Sequence, residues 1–299
     1  VAALSPAVLL FRGSRRECAE AGLVLEAKAI PYETVYGEEG FAVWVESGVA
    51  DSAREELARY EAERRSRAAA APRIEPFPGA APAACAYAAV LLLVAWCAGA
   101  QLLGVDWLAA GSLDAAGGAR TEPWRAVTAL TLHLDQQHLL GNLLFGIAIG
   151  VLAGRMFGPG IAWLGIVLAA SAANLTEMLI SPPEHRAVGA STAVFAALGM
   201  LSGFAWRLRF AMTARAAYRF GPLFAGLCLL ALLGAGDAHV DVLGHVLGFT
   251  AGILAGALWG GRARARGEMR SLQYGCGALA LLVIVIAWSL ALERARRGG

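Results

Sequence analysis

Residues 241–260 read Asp-Val-Leu-Gly-His-Val-Leu-Gly-Phe-Thr-Ala-Gly-Ile-Leu-Ala-Gly-Ala-Leu-Trp-Gly. Glycine recurs at 244, 248, 252, 256 and 260, every fourth position of an otherwise apolar run. On a helix those positions share one face. A face without side chains lets a second membrane helix approach until the backbones almost touch. His245 follows the first of these glycines. The ridge therefore has two readings: packing alone, or packing that brings a histidine within reach of a side chain on another helix. The adjacent histidine favours the second.

Composition agrees that the chain belongs in a membrane. Of 299 residues, 58% are hydrophobic and 16% charged, where a soluble domain is nearer a quarter charged. Mean hydropathy is +0.58. This excludes a disordered chain, a collagen, a coiled coil and a disulfide-stapled secreted module. A net charge of +2 leaves no electrostatic footprint for nucleic acid. A span needs roughly 20 apolar residues. Seven segments qualify, the fourth and fifth being short: 84–105, 138–157, 161–180, 190–206, 222–236, 242–260 and 274–292. The fold class is thus an all-α polytopic membrane protein with a soluble head.

The head, residues 1–65, reads as a small α/β unit in the order βαββα. Val8-Leu9-Leu10-Phe11 is a strand, and Arg15 onward a helix with Cys18, Ala19, Leu23 and Ala27 near one face. Tyr32-Glu33-Thr34-Val35-Tyr36 and Phe41-Ala42-Val43-Trp44-Val45 form a hairpin. A charged helix capped at Asp51 or Ser52 ends near Arg65. Any ligand of the head is unknown, and a folded appendage is its simplest reading. Residues 66–83 have linker composition. The opening segment is polar and does not read as a signal peptide. Cys18, Cys85, Cys97, Cys228 and Cys276 make no CxxC pair and read as packing residues.

Arginines set the orientation. Arg64, Arg65, Arg67 and Arg73 precede the first span. Arg207, Arg209, Arg215 and Arg219 follow the fourth, and Arg262, Arg264, Arg266 and Arg270 follow the sixth. These segments share one side, which should be cytoplasmic along with the N-terminus. Arg294, Arg296 and Arg297 then fall outside, so the seventh insertion rests on the weakest footing.

Polar residues in spans are costly and mark function. His133, His138, Asn142, Ser191 and His245 all lie near the outer ends of their spans by this topology. Ser191 begins the fourth span, where a serine is ordinarily a cap or a packing residue. As a nucleophile it would have the free N–H groups of the helix start facing an oxyanion. His138 and Asn142 are four apart, on one face, and both donate from side chains. Three histidines could bind zinc, but no H-E-x-x-H or cysteine cluster accompanies them. No metal and no cofactor is expected.

The chain from 84 to 260 resembles the rhomboid intramembrane serine proteases. Trp124-Arg125 stands in the first outer loop, like the family's WR motif. His133, His138 and Asn142 match its H-x4-H-x3-N spacing, and Gly189-Ala190-Ser191-Thr192 its GxSG motif with Thr192 for the last glycine. Gly244-His245 and the ridge match its sixth helix. The acidic residue often found near the inner end of the second span is replaced by Gly154-Arg155. The resemblance implies a six-helix catalytic core over 84–260. Residues 261–299 would supply a basic loop, a seventh span and a tail, as in six-plus-one members. It implies a dyad with Ser191 as nucleophile and His245 as general base. His138, Asn142 and the Ser191 backbone N–H would stabilise the oxyanion. Phe195 would pack on the imidazole, and His133 would brace the outer loop. Substrates would be membrane-anchored proteins cut in or near a transmembrane helix. The bacterial inner membrane is the implied location, with the site near its outer face. A catalytically inactive relative that binds membrane-protein clients is the alternative. A transporter is disfavoured, because its polar groups should lie near the bilayer midplane.

Overall fold

The computed structural model describes residues 6–37, 40–70, 76–208, 224, 241–259 and 270–298. The fifth expected span, 222–236, lies outside the described residues apart from Phe224. So does Cys228.

Two units divide the chain, Val1–Arg73 and Ile74–Gly299. In the first, β1 (Ala7–Gly13), α1 (Arg15–Ala27), β2 (Glu33–Gly37), β3 (Gly40–Glu46) and α2 (Ala50–Ala70) follow in chain order. The sheet is antiparallel in the order β1-β3-β2. β3 takes the centre because it carries the apolar residues Ala42, Val43 and Val45, all buried. Ser14 and Glu17 form a capping box that starts α1. The buried face of α1 is Cys18, Ala21, Gly22 and Leu25. That corrects the expected face: Leu23 is 66% exposed, since the sheet contacts the stripe at i, i+3, i+4 and i+7 from Cys18. α2 runs past the expected end near Arg65, carried by alanine, arginine and glutamate, all good helix formers.

The second unit is helical. α3 (Ala80–Gly99), α4 (Gln136–Phe157), α5 (Pro159–Ile180), α6 (Ser191–Leu208), α7 (Val242–Trp259) and α8 (Arg270–Gly298) are its long described helices. Four of these are long and apolar enough to cross a membrane: α3, α4, α5 and α8. α7 is apolar but shorter. Leucines at 140, 144, 152, 254 and 258 stand exposed on the outer surface, where a bilayer would cover them. α3 ends earlier than expected. After Gly99 the chain enters left-handed backbone at Gln101 (φ 45°) and Leu103 (φ 67°), which ends the helix.

α6 and α7 run parallel and interlock. A methyl at Gly248, Gly252 or Gly256 would fall 2.5, 2.1 and 2.0 Å from the carbonyl oxygens of Thr192, Ala196 and Met200. The fit is reciprocal: methyls at Gly199 and Gly203 would lie 2.1 Å from the oxygens of Phe249 and Ile253. Glycine on both helices therefore sets the separation, and the α7 ridge is one half of the seam.

α8 is joined to the bundle at both ends. Gln273 accepts from Ile161 N at 3.0 Å and donates to Phe157 O at 3.2 Å, at the α4–α5 turn. Near its other end the Trp288 indole N–H donates to Thr131 Oγ1 at 3.0 Å, and its ring lies 4.6 Å from that of Trp107.

Candidate active site

The site is assembled by helix starts and the loops before them. Asp135 caps α4, accepting from His138 N at 2.7 Å. Asp241 caps α7, accepting from Gly244 N at 2.8 Å. α6 begins at Ser191 itself, after Gly189, whose φ of 136° only glycine adopts comfortably.

The loop before α4 holds the other side. Arg125 donates to Ala109 O and Ser112 O at 2.9 and 2.8 Å and pairs with Glu122. Thr128 Oγ1 donates to Gly111 O at 2.6 Å, and Asn174 on α5 donates to Ala126 O at 3.0 Å. Gly189 N bonds to Ala129 O at 2.9 Å. Two short strands, β4 (Leu113–Asp114) and β5 (Arg186–Ala187), pair antiparallel and join this loop to the one before Ser191. The WR pair thus ties backbone carbonyls: Arg125 makes the bonds, and Trp124 packs with the cluster around Trp107 and Trp288.

His133 reaches the serine's loop. Its Nε2 lies 3.5 Å from Ala190 N, and its ring meets that of His138 edge-on at 5.1 Å. Burial first, and the neighbouring His138 second, push the His133 pKa down to about 4. The ring is therefore neutral at neutral pH and accepts through Nε2.

His138 lies over Gly189. A methyl there would sit 2.8 Å from His138 Nε2 and 3.5 Å from Ser191 Oγ, so one small space adjoins both side chains. Asn142, 7% exposed, uses its Nδ2 to bond His138 O at 3.1 Å. From α3, Tyr87 donates to Asn142 O at 2.9 Å.

His245 is 5% exposed. The α6–α7 register pairs Thr192 with Gly248 and Ala196 with Gly252. His245 stands three residues before Gly248, the glycine that meets Thr192, and Thr192 directly follows Ser191. The Phe195 and His245 rings are 4.5 Å apart. Among the described residues no hydrogen bond joins Ser191 to His245, and His245 Nδ1 is buried without a partner.

One cluster escaped the sequence reading. Glu177 on α5, fully buried, lies 2.8 Å from His185 Nε2, and Asp241 completes a group of three. The signal was present, because Glu177 is an ionisable residue inside an expected span.

The rhomboid domain matches residues 120–262. The chain belongs to the rhomboid family. It is 30% identical over 176 residues to Rhomboid-like protease 3 of Toxoplasma gondii, a match covering 57% of this chain and 65% of that one. It is 35% identical over 83 residues to Rhomboid-related protein 2 of Mus musculus, covering 27% and 26%. Rhomboid protease GluP of Bacillus subtilis (strain 168) is 34% identical over 83 residues, covering 28% and 16%. The chain thus spans less than two thirds of each relative. Ser191, His245, His138 and Asn142 of this rhomboid chain all fall within the matched residues.

Proposed function

We propose that this rhomboid chain is an intramembrane serine protease that hydrolyses peptide bonds in or near the transmembrane segment of membrane-anchored proteins. The observation that supports the reading is the interlocked glycine seam, which packs Gly248 on α7 against Thr192 on α6, with the His245 ring 4.5 Å from that of Phe195. Ser191 Oγ attacks the scissile carbonyl while His245 takes its proton. His245 then returns the proton to the leaving amine, and a water molecule hydrolyses the acyl-enzyme by the same steps in reverse. His138, Asn142 and the Ser191 N–H face the developing oxyanion. Catalytic hydrogen bonds are often long in the free enzyme and tighten when substrate binds, which fits the open Ser191–His245 pair.

The same reading takes the core as six helices plus α8 and places the head and N-terminus in the cytoplasm. The site then lies near the outer face of a bacterial inner membrane. The second reading, an inactive relative that binds membrane proteins, is favoured only by the missing Ser191–His245 bond. A fluorophosphonate probe on detergent-purified protein decides between them. Labelling that disappears in Ser191→Ala and falls sharply in His245→Ala supports the protease. Absence of labelling in wild type, with no cleavage of a membrane-anchored substrate, supports the inactive relative.

A further inference from the structure

Glu177, His185 and Asp241 come from three elements: the last turn of α5, the loop before β5 and the residue before α7. Their ligand-capable atoms, one imidazole nitrogen and two carboxylate oxygens, lie within 4.8 Å of one another. Glu177 is the anchor. Its side chain is 0% exposed, and Oε1 meets His185 Nε2 at 2.8 Å. Oε2 is buried with no hydrogen bond. That oxygen is aimed into the cluster: a methyl on Gly244 would lie 2.9 Å from Glu177 Oε2 and 2.2 Å from Asp241 Oδ2. Two carboxylate oxygens therefore converge on one point beside the α7 backbone. The other Asp241 oxygen caps Gly244 and is committed.

A buried carboxylate oxygen without a partner is costly, and a facing carboxylate adds repulsion. A divalent cation removes both costs, as does a proton shared between the two carboxyl groups, and the test below separates the two. One imidazole and two carboxylates form a mixed nitrogen–oxygen set, which suits zinc-type ions better than calcium or magnesium. At bond lengths of about 2.1 Å, two ligand atoms on one zinc lie no more than about 4.2 Å apart. Closing on an ion draws the farthest pair inward from its present separation of at most 4.8 Å and opens the His185–Glu177 contact from 2.8 Å. His185 is 27% exposed, which leaves an entry path. We infer that Glu177, His185 and Asp241 form a binding site for a divalent transition-metal ion of the zinc type, tying α5, the loop before Ser191 and the start of α7 together one turn from His245.

The test uses the full chain in detergent, stripped with a chelator and titrated calorimetrically with Zn²⁺. Co²⁺ serves as a spectroscopic stand-in. The expected result is one equivalent bound per chain. The melting temperature should rise by at least about 2 °C at a hundredfold excess over Kd. Glu177→Gln and His185→Ala should each weaken binding at least tenfold, as should Asp241→Asn, which keeps its cap on Gly244. Ser191→Ala and His138→Ala should bind as wild type does, which separates this site from zinc captured by the active-site histidines. If Glu177→Gln does not fold, the partly exposed His185→Ala carries the test. No stoichiometric binding, or binding that survives His185→Ala, or binding lost in His138→Ala, overturns the inference. In the first case the two carboxyl groups share a proton instead.

Discussion

Phe195 is fully buried, and its ring lies 4.5 Å from the His245 imidazole with the planes inclined by 32°. The contact restricts how the imidazole turns, and Ser191, its partner in the proposed dyad, stands four residues before Phe195 on the same helix. Phe195→Leu keeps an apolar filler but removes the flat support. Turnover should fall at least tenfold with the Michaelis constant nearly unchanged, while stability drops by about 1 kcal/mol. Turnover within twofold of wild type would show that the ring is held by other groups.

The glycine seam predicts sensitivity to a single methyl. At Gly252 it would stand 2.1 Å from Ala196 O, a backbone atom that cannot step aside. Gly252→Ala should force α6 and α7 apart and lower melting temperature and activity together. Gly275→Ala on α8 is the control, because nothing lies within 4 Å of the added carbon. That change should leave stability equal or raised by up to about 1 kcal/mol through helix propensity. Equal behaviour of the two variants would remove the close contact from the account.

His138 shares the space over Gly189 with Ser191. If it donates to the oxyanion, His138→Ala should lower turnover by about 100- to 1000-fold, as loss of such a donor does elsewhere. Substrate binding should change much less. A variant altered only in its Michaelis constant would reassign His138 to substrate docking.

His133 links pH to stability. Its pKa is held at about 4 in the folded protein, against about 6.5 when unfolded. Between those values the unfolded chain takes up a proton that the folded chain refuses. Stability should therefore fall as pH drops from about 6.5 toward 4, by up to about 1.4 kcal/mol per pH unit from this group. His133→Gln retains an acceptor for Ala190 N and lacks that titration. Unfolding midpoints measured at pH 7 and pH 5 should diverge less in the variant. Identical pH dependence in both proteins would mean that His133 protonates freely in the fold.

Trp288 makes α8 part of the site's support. Its indole N–H reaches Thr131, two residues before His133. Trp288→Phe loses that bond while filling most of the space, so stability should fall by about 1 kcal/mol and turnover by less than tenfold. An unchanged thermal midpoint would indicate that α8 rests on lipid rather than on the loop.

Sequence periodicity and spacing determined most of the helices, because helix formation is a local matter of apolar length, caps and breakers. The expected spans 138–157 and 161–180 became Gln136–Phe157 and Pro159–Ile180. Spacing likewise put His138 and Asn142 on one face and marked the α7 ridge. It did not reveal what the ridge meets, although Gly199 and Gly203 carry the same four-residue interval. A ridge in one segment names no partner, and only packing pairs it with another. The α1 face departs from the apolar pattern for a related reason: Leu23 is apolar, but burial depends on where the sheet lies. Glu177, His185 and Asp241 are separated in sequence by eight and fifty-six positions, and no local pattern links them. Tertiary structure brought them within 4.8 Å because α5 ends where α7 begins. It also decided that α8 is joined to the bundle from the α4–α5 turn to the loop that carries His133. Contacts between distant segments arise from helices packing at fixed separations, which a one-dimensional pattern constrains but does not assign.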